Sequence, residues 1–372
     1  MKKIISLVLV VVMVLVLSAA CGGQTPDSGG AGGGAGPANT AGGGDDSSGG
    51  ATGDGAAAGG AVYELKASTY LPGPDPLMAL IDNYCNSVSE STGGNLTIKV
   101  YPGEQLGPYD QTFEETIRGS IEFGFNAVPA TYDTRLEAVF VPGAIGTYER
   151  MGQLIAPGST VFNTYDSALD DLGIVLLGWV LGGYNNIILR GEPEAGYVDP
   201  TVQKTSTIRV PTASAMFGHI ISSLGYRTAS LNGNEVYSAL QTGVVDGSMG
   251  QSNMFVLSGF SDVVANIIDT RLVASIDPIF INKDVFESMP PEYQQALRDA
   301  AKDFLEENLA FLEQQDAEVE SQLADIGITV IHLSDDERSV MESSVRDAVW
   351  PVIEQSLGAD FLEGVKKDVG IQ

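Results

Sequence analysis

Glu235-Val236-Tyr237-Ser238-Ala239-Leu240-Gln241-Thr242-Gly243-Val244-Val245-Asp246-Gly247 reads as a helix over 235–242 that turns directly into a strand over 244–249. Just upstream, 207–210 has strand character and runs into a helix over 213–224, so this part of the chain is an α/β unit. The alternation continues outward. A strand over 63–68 precedes a helix over 76–91, which places Leu77, Leu80, Ile81, Tyr84 and Val88 on one face and stops at Gly93-Gly94. A strand over 96–101, a helix over 109–118 closed by Gly119 and a strand over 121–125 complete a βαβαβ opening. Further strands are expected over 174–180 and 186–189, and over 271–281 with a break at Asp277-Pro278. Pro290-Pro291 opens a long helix reaching about residue 326. A last strand over 329–333 precedes a helix whose cap and acidic first turn are Ser334-Asp335-Asp336-Glu337. The fold class is α/β.

The N-terminus is of another kind. Lys2 and Lys3 precede an apolar run over 4–17, the size of a signal-peptide core and short for a membrane span. Ser18, Ala19 and Ala20 lead into Cys21-Gly22, which resembles a lipobox with Leu17 one position too far from the cysteine. Cys21 is the expected lipidation site, with cleavage after Ala20 by an ordinary signal peptidase as the alternative. From 21 to 60 the chain is Gly, Ala, Ser, Thr and Asp almost throughout, a flexible tether with a reach of about 35 Å. The expected organisation is therefore a signal peptide over 1–20, a tether over 21–60 and a body over 61–372. The protein is expected outside the cytoplasmic membrane, held to its outer face.

Among the 372 residues, 48 are acidic and 19 basic, a formal net charge of −29. That field repels nucleic acid and anionic lipid, so neither is an expected partner. An anionic ligand would need a local buried cation. Two cysteines, Cys21 and Cys85, exclude a disulfide framework, and Cys85 reads as a small buried residue. His219 and His332 lack neighbours at metal-ligand spacing, so no metal and no cofactor is expected. Asp246-Gly247-Ser248-Met249-Gly250 lacks the glycine pattern of a nucleophile elbow, and no phosphate loop is present. Binding is favoured over catalysis. An exported hydrolase or lyase using a cleft carboxylate with Arg209 is the alternative, and no nucleophile stands paired with a base for it.

Four blocks carry a family resemblance. They are Thr92-Gly93-Gly94-Asn95-Leu96-Thr97-Ile98-Lys99-Val100-Tyr101-Pro102 continuing to Gln105-Leu106-Gly107, then Ile208-Arg209-Val210-Pro211, then the opening stretch 235–247, and Phe286-Glu287-Ser288-Met289-Pro290-Pro291-Glu292-Tyr293. Together they resemble the DctP-type substrate-binding subunits of tripartite ATP-independent periplasmic (TRAP) transporters. The resemblance implies a two-lobed, type II-like periplasmic binding protein fold whose lobes are joined by crossing strands and braced by the long helix. Lobe I would take 61–182 and 262–288, and lobe II 183–261 with the C-terminal helices. It also implies capture of a small organic acid in the cleft, with delivery to the small and large membrane subunits of the transporter. The receptor of an ATP-driven importer, which should lack the match over 235–247, is the alternative.

In the family the arginine of the Arg-Val-Pro block grips the ligand carboxylate, and Arg209 holds that position. A planar guanidinium fork matches a carboxylate, and an acidic protein needs such a local cation. Gly183-Tyr184-Asn185-Asn186 puts Asn185, with Tyr184 beside it, where many members carry a second arginine. Ser248 and Gly250 fall within a block that often reads Gln-Glu-Asn-Pro, and Gly233 stands in place of a ligand-packing phenylalanine. These departures point to a roomier, less charged pocket and a monocarboxylate. Tyr70 and Asn126, at strand ends, are also expected at the cleft.

Overall fold

The computed structural model describes residues 61–212 and 214–371, so the expectations for the signal peptide, Cys21 and the tether lie outside the described residues. The opening is as expected: β1 (Tyr63–Ser68), α1 (Leu77–Ser91), β2 (Leu96–Tyr101), α2 (Tyr109–Ile117) and β3 (Phe123–Phe125). β1 runs parallel to β2 from Tyr63↔Leu96 to Ser68↔Tyr101, and parallel to β3 at Ala67↔Phe123. α1 buries Leu77, Met78, Ile81, Tyr84 and Val88, and its exit uses positive φ at Gly93 and Gly94. Cys85 on this helix is half-buried, and burial pushes its thiol up to about 12, which leaves it unreactive.

Two helices that the pattern did not announce, α3 (Tyr148–Ile155) and α4 (Thr160–Asp171), lead into β4 (Ile174–Leu189). Then come β5 (Thr207–Val210), α5 (Met216–Ser223), β6 (Arg227–Ser230), α6 (Val236–Thr242), β7 (Gly247–Gln251) and α7 (Asn253–Gly259). The chain ends in β8 (Asn266–Asn282), α8 (Lys283–Ser288), α9 (Pro291–Asp325), β9 (Thr329–His332), α10 (Asp335–Leu357) and α11 (Ala359–Val369).

Several boundaries differ from the sequence reading for local reasons. The two strands expected over 174–189 are one, because the intervening residues stay paired with β8 through register shifts at Leu176/Gly178, Leu181/Gly183 and Asn185/Ile187. The break expected at Asp277-Pro278 does not occur. Pro278 pairs with Trp179, and its carbonyl accepts the Asn126 N–H (3.4 Å) where β3 runs out, so its missing N–H faces the end of a neighbour. β7 starts later than expected. Gly243 closes α6 in the left-handed conformation (φ 74°), and the amides of Val244 and Val245 still bond to the Ala239 carbonyl, so both valines belong to the helix exit.

The strand order is β2-β1-β3-β8-β4-β7-β5-β6, with β9 added alongside β8. The long antiparallel strands β4 and β8 are shared: their Ile174 and Asn282 ends lie level with β3, and their Leu189 and Asn266 ends level with β7 and β9. This is the two-lobed α/β architecture, with each wing built from short parallel strands. α9 braces it, packing on α1 in the first wing and on β4 and α7 beyond. The C-terminal helices correct an expectation. α11 packs on α3 and α4, and α10 touches both α5 and the turn over Thr134–Val139, so they tie the wings together instead of belonging to lobe II. None of the described helices is long and apolar enough to cross a membrane.

Candidate binding cleft

The C-terminal ends of β1 and β3 on one side and of β5 and β6 on the other open onto the space between the wings, the place where open α/β sheets take ligands. Arg209 stands next to the end of β5 and is 4% exposed. Its Nε donates to the Leu231 carbonyl (2.9 Å), which aims the fork, and among the described residues no carboxylate lies within ion-pair distance of it. Burial pulls its pKa down to about 10, with the Tyr109 and Glu235 charges opposing, so it stays a cation at neutral pH. Gly250 makes room for it. A Cβ there would stand 3.5 Å from Arg209 Nη1 and 3.0 Å from Pro211 Cγ, on a backbone at φ 116°.

Ser248 is the register partner of Arg209 across β5 and β7, and its buried hydroxyl has no hydrogen-bond partner. Asn185 Oδ1 and Gln251 Oε1 are likewise buried and unsatisfied, although buried polar atoms are normally paired. Tyr109, at the start of α2, faces this group from the other wing. Burial raises its hydroxyl above the usual phenol range, while Thr212 and the Arg209 charge pull it back. Gly233 lies in an exposed turn where an added Cβ would meet nothing within 4 Å, so the rim is open there.

On the first wing, Asn126 Oδ1 accepts the Tyr70 N–H (3.2 Å), and its Nδ2 donates to Ser68 Oγ (3.4 Å) and Thr112 Oγ1 (3.3 Å). Asn126 is thus spent on fastening the loop that presents Tyr70. The Tyr70 hydroxyl donates to Asp277 Oδ2 (2.8 Å), and Ser275 Oγ donates to the same oxygen (3.0 Å). Sequence reading missed Asp277 and Ser275, since Asp277-Pro278 carries the signal of a strand end.

Tyr184 corrects an expectation. It was expected beside Asn185 at the ligand, but successive strand residues face opposite sides. Tyr184 stacks 5.1 Å from Tyr148, lies under the Arg271 guanidinium, and lines a small cavity with Leu312 and Asp316 of α9. Asn185, paired with Val273, shares its face with Ser275 two residues on.

The profile of the DctP family, bacterial extracellular solute-binding protein family 7, matches residues 67–355. The chain belongs to this family. Its members are extracytoplasmic substrate-binding subunits of TRAP transporters. A solute-binding protein of Albidiferax ferrireducens is 24% identical over 280 residues, which is 73% of this chain and 79% of the relative. An extracytoplasmic solute receptor of Bordetella pertussis that binds pyroglutamic acid shares the fold at a TM-score of 0.72 and 21% identity, covering 82% of this chain and all of its own (100%). A TRAP periplasmic solute-binding protein of Desulfovibrio salexigens with bound orotic acid gives a TM-score of 0.74 at 20% identity, covering 83% of this chain and 99% of its own.

Proposed function

We propose that this DctP-family subunit captures a monocarboxylic organic acid between its wings through Arg209 and hands it to the small and large membrane subunits of a TRAP transporter. The observation that carries this reading is a buried arginine with no carboxylate partner among the described residues. Burying an unpaired charge costs several kcal/mol, and a ligand carboxylate offsets that cost. The unsatisfied Ser248, Asn185 and Gln251 atoms supply further polar contacts without a second positive charge, which suits one carboxylate better than two. Pyroglutamic and orotic acid, bound by the two similar structures, are also monocarboxylates. The strands β4 and β8 cross between the lobes: 61–182 with the 275–288 stretch makes up lobe I, and 183–261 with the 266–274 stretch makes up lobe II. Ligand closes the cleft through contacts made only in the closed state.

Thermal-shift screening of the full chain against organic acids tests the reading. An acid present at one hundred times its dissociation constant stabilises the fold by about 2.7 kcal/mol. Dicarboxylates binding far more tightly than every monocarboxylate would reject the single-carboxylate pocket. We place the body at the outer face of the cytoplasmic membrane through a lipid on Cys21. Replacing Cys21→Ala should move the protein from the membrane to the soluble fraction, and a variant that still sediments with membranes would refute the anchor.

A further inference from the structure

We propose that Asp277, presented by Tyr70 and Ser275, is a second pole of the cleft that accepts a hydrogen bond from the ligand, so that the captured acid also carries a hydroxyl or ammonium donor. The inference rests on the receptor reading and adds to it which acids are preferred.

Three observations carry it. Both donors reaching this carboxylate, Tyr70 Oη at 2.8 Å and Ser275 Oγ at 3.0 Å, bond to Oδ2, and Oδ1 has no hydrogen-bond partner among the described residues. No lysine, arginine or histidine among the described residues lies within ion-pair distance of Asp277. Asp277 is half-buried, as are Tyr70 and Ser275, and its partial burial lifts its carboxyl to about 6 against the two hydrogen bonds. A carboxylate so placed has an open acceptor and a desolvation cost that its two hydrogen bonds offset only in part, and a donor from a ligand answers both.

Its place in the fold makes that ligand the one Arg209 holds. Asp277 pairs with Val180 on β4 and directly precedes Pro278, whose carbonyl receives the Asn126 amide at the C-terminal end of β3. It therefore sits at the ligand-facing edge of the first wing, as Arg209 sits near that of the second. Tyr165 of α4 is deeply buried, and the charges of Asp277 and Glu137 both reach it, while Glu137 accepts a hydrogen bond from Ser214, five residues beyond Arg209. The cleft thus has a cation without an anion at one end and an anion without a cation at the other.

The test is calorimetric titration of the full chain with matched acids of three to six carbons: plain alkanoates, ω-hydroxyalkanoates and ω-aminoalkanoates. The wild-type chain should bind a donor-bearing acid about tenfold tighter than the plain acid of equal length. In Asp277→Asn the amide oxygen can still receive the Tyr70 hydroxyl, but an N–H₂ takes the place of the free oxygen and meets a ligand donor with a donor. The difference within each pair should then disappear. A wild-type chain that makes no distinction within any pair, or an Asp277→Asn variant that keeps the distinction, overturns the proposal. Arg209→Ala separates the two readings, because it should weaken plain and donor-bearing acids alike. If plain acids bind and depend on Arg209 while donors add nothing, only the role of Asp277 falls; if no acid binds at all, both readings fall.

Discussion

Arg209→Ala is expected to weaken binding of the captured acid by about 2–4 kcal/mol, roughly thirty- to a thousandfold in dissociation constant. The size follows from the setting. Arg209 is almost fully buried, its Nε is committed to the Leu231 carbonyl, and its remaining N–H groups have no carboxylate among the described residues. A fork fixed in this way loses little side-chain entropy on meeting a carboxylate, and both partners are shielded from water when they meet. Arg209→Lys should recover only part of the loss, since a point charge cannot make two parallel hydrogen bonds. Titration calorimetry reads the effect, and an Arg209→Ala chain that binds its best acid as tightly as wild type would remove the basis of the mechanism. The free protein should not be destabilised by this change, because removing an unpaired buried charge relieves a desolvation cost.

The second large effect concerns stability. Asn308, wholly buried in α9, accepts the Leu181 N–H through Oδ1 (2.7 Å) and donates Nδ2 to the Leu181 carbonyl (3.1 Å). It supplies the pairing of a neighbouring strand at the point where β4 shifts register against β8 between Leu181 and Gly183. Asn308→Leu leaves a buried N–H and a buried C=O without partners, each worth about 1–3 kcal/mol, so a loss of about 3 kcal/mol is expected. Denaturant unfolding should show a lower midpoint at an unchanged slope. A loss below about 1 kcal/mol would mean that water or a shifted backbone takes over both bonds.

Asn308 also marks where sequence reading stops. The long helix was legible because Pro290-Pro291 starts it and its apolar positions recur, and the next helix was legible from its cap: Ser334 Oγ accepts the Glu337 amide (3.3 Å) while Glu337 accepts the Ser334 amide (2.9 Å). These are local signals, closed within a few residues. A buried asparagine in the middle of an amphipathic helix carries no such signal, because its partner is 127 residues away. The same holds for β4. The two strands expected over 174–180 and 186–189 leave Gly182-Gly183 between them, and only the neighbouring β8, against which β4 carries one extra residue at Gly182, shows that the strand continues through it.

The site divides in the same way. Arg209 could be singled out from its block and from the need of an acidic protein for a buried cation. Asn185 and Tyr184 were read together because they are adjacent, and the pleat separates them, one toward Ser275 and the other toward α9. Asp277 was passed over as part of a strand break, since nothing nearby in sequence reveals that Tyr70 and Ser275 both bond to one of its oxygens. The sequence by itself determined the α/β alternation, the family and the arginine, all of which rest on patterns within short stretches of chain. Tertiary structure alone decided the continuity of the shared strands, the face on which each polar residue lies and the gathering of Tyr70 and Ser275 on Asp277, because each depends on which distant segments the fold brings into register.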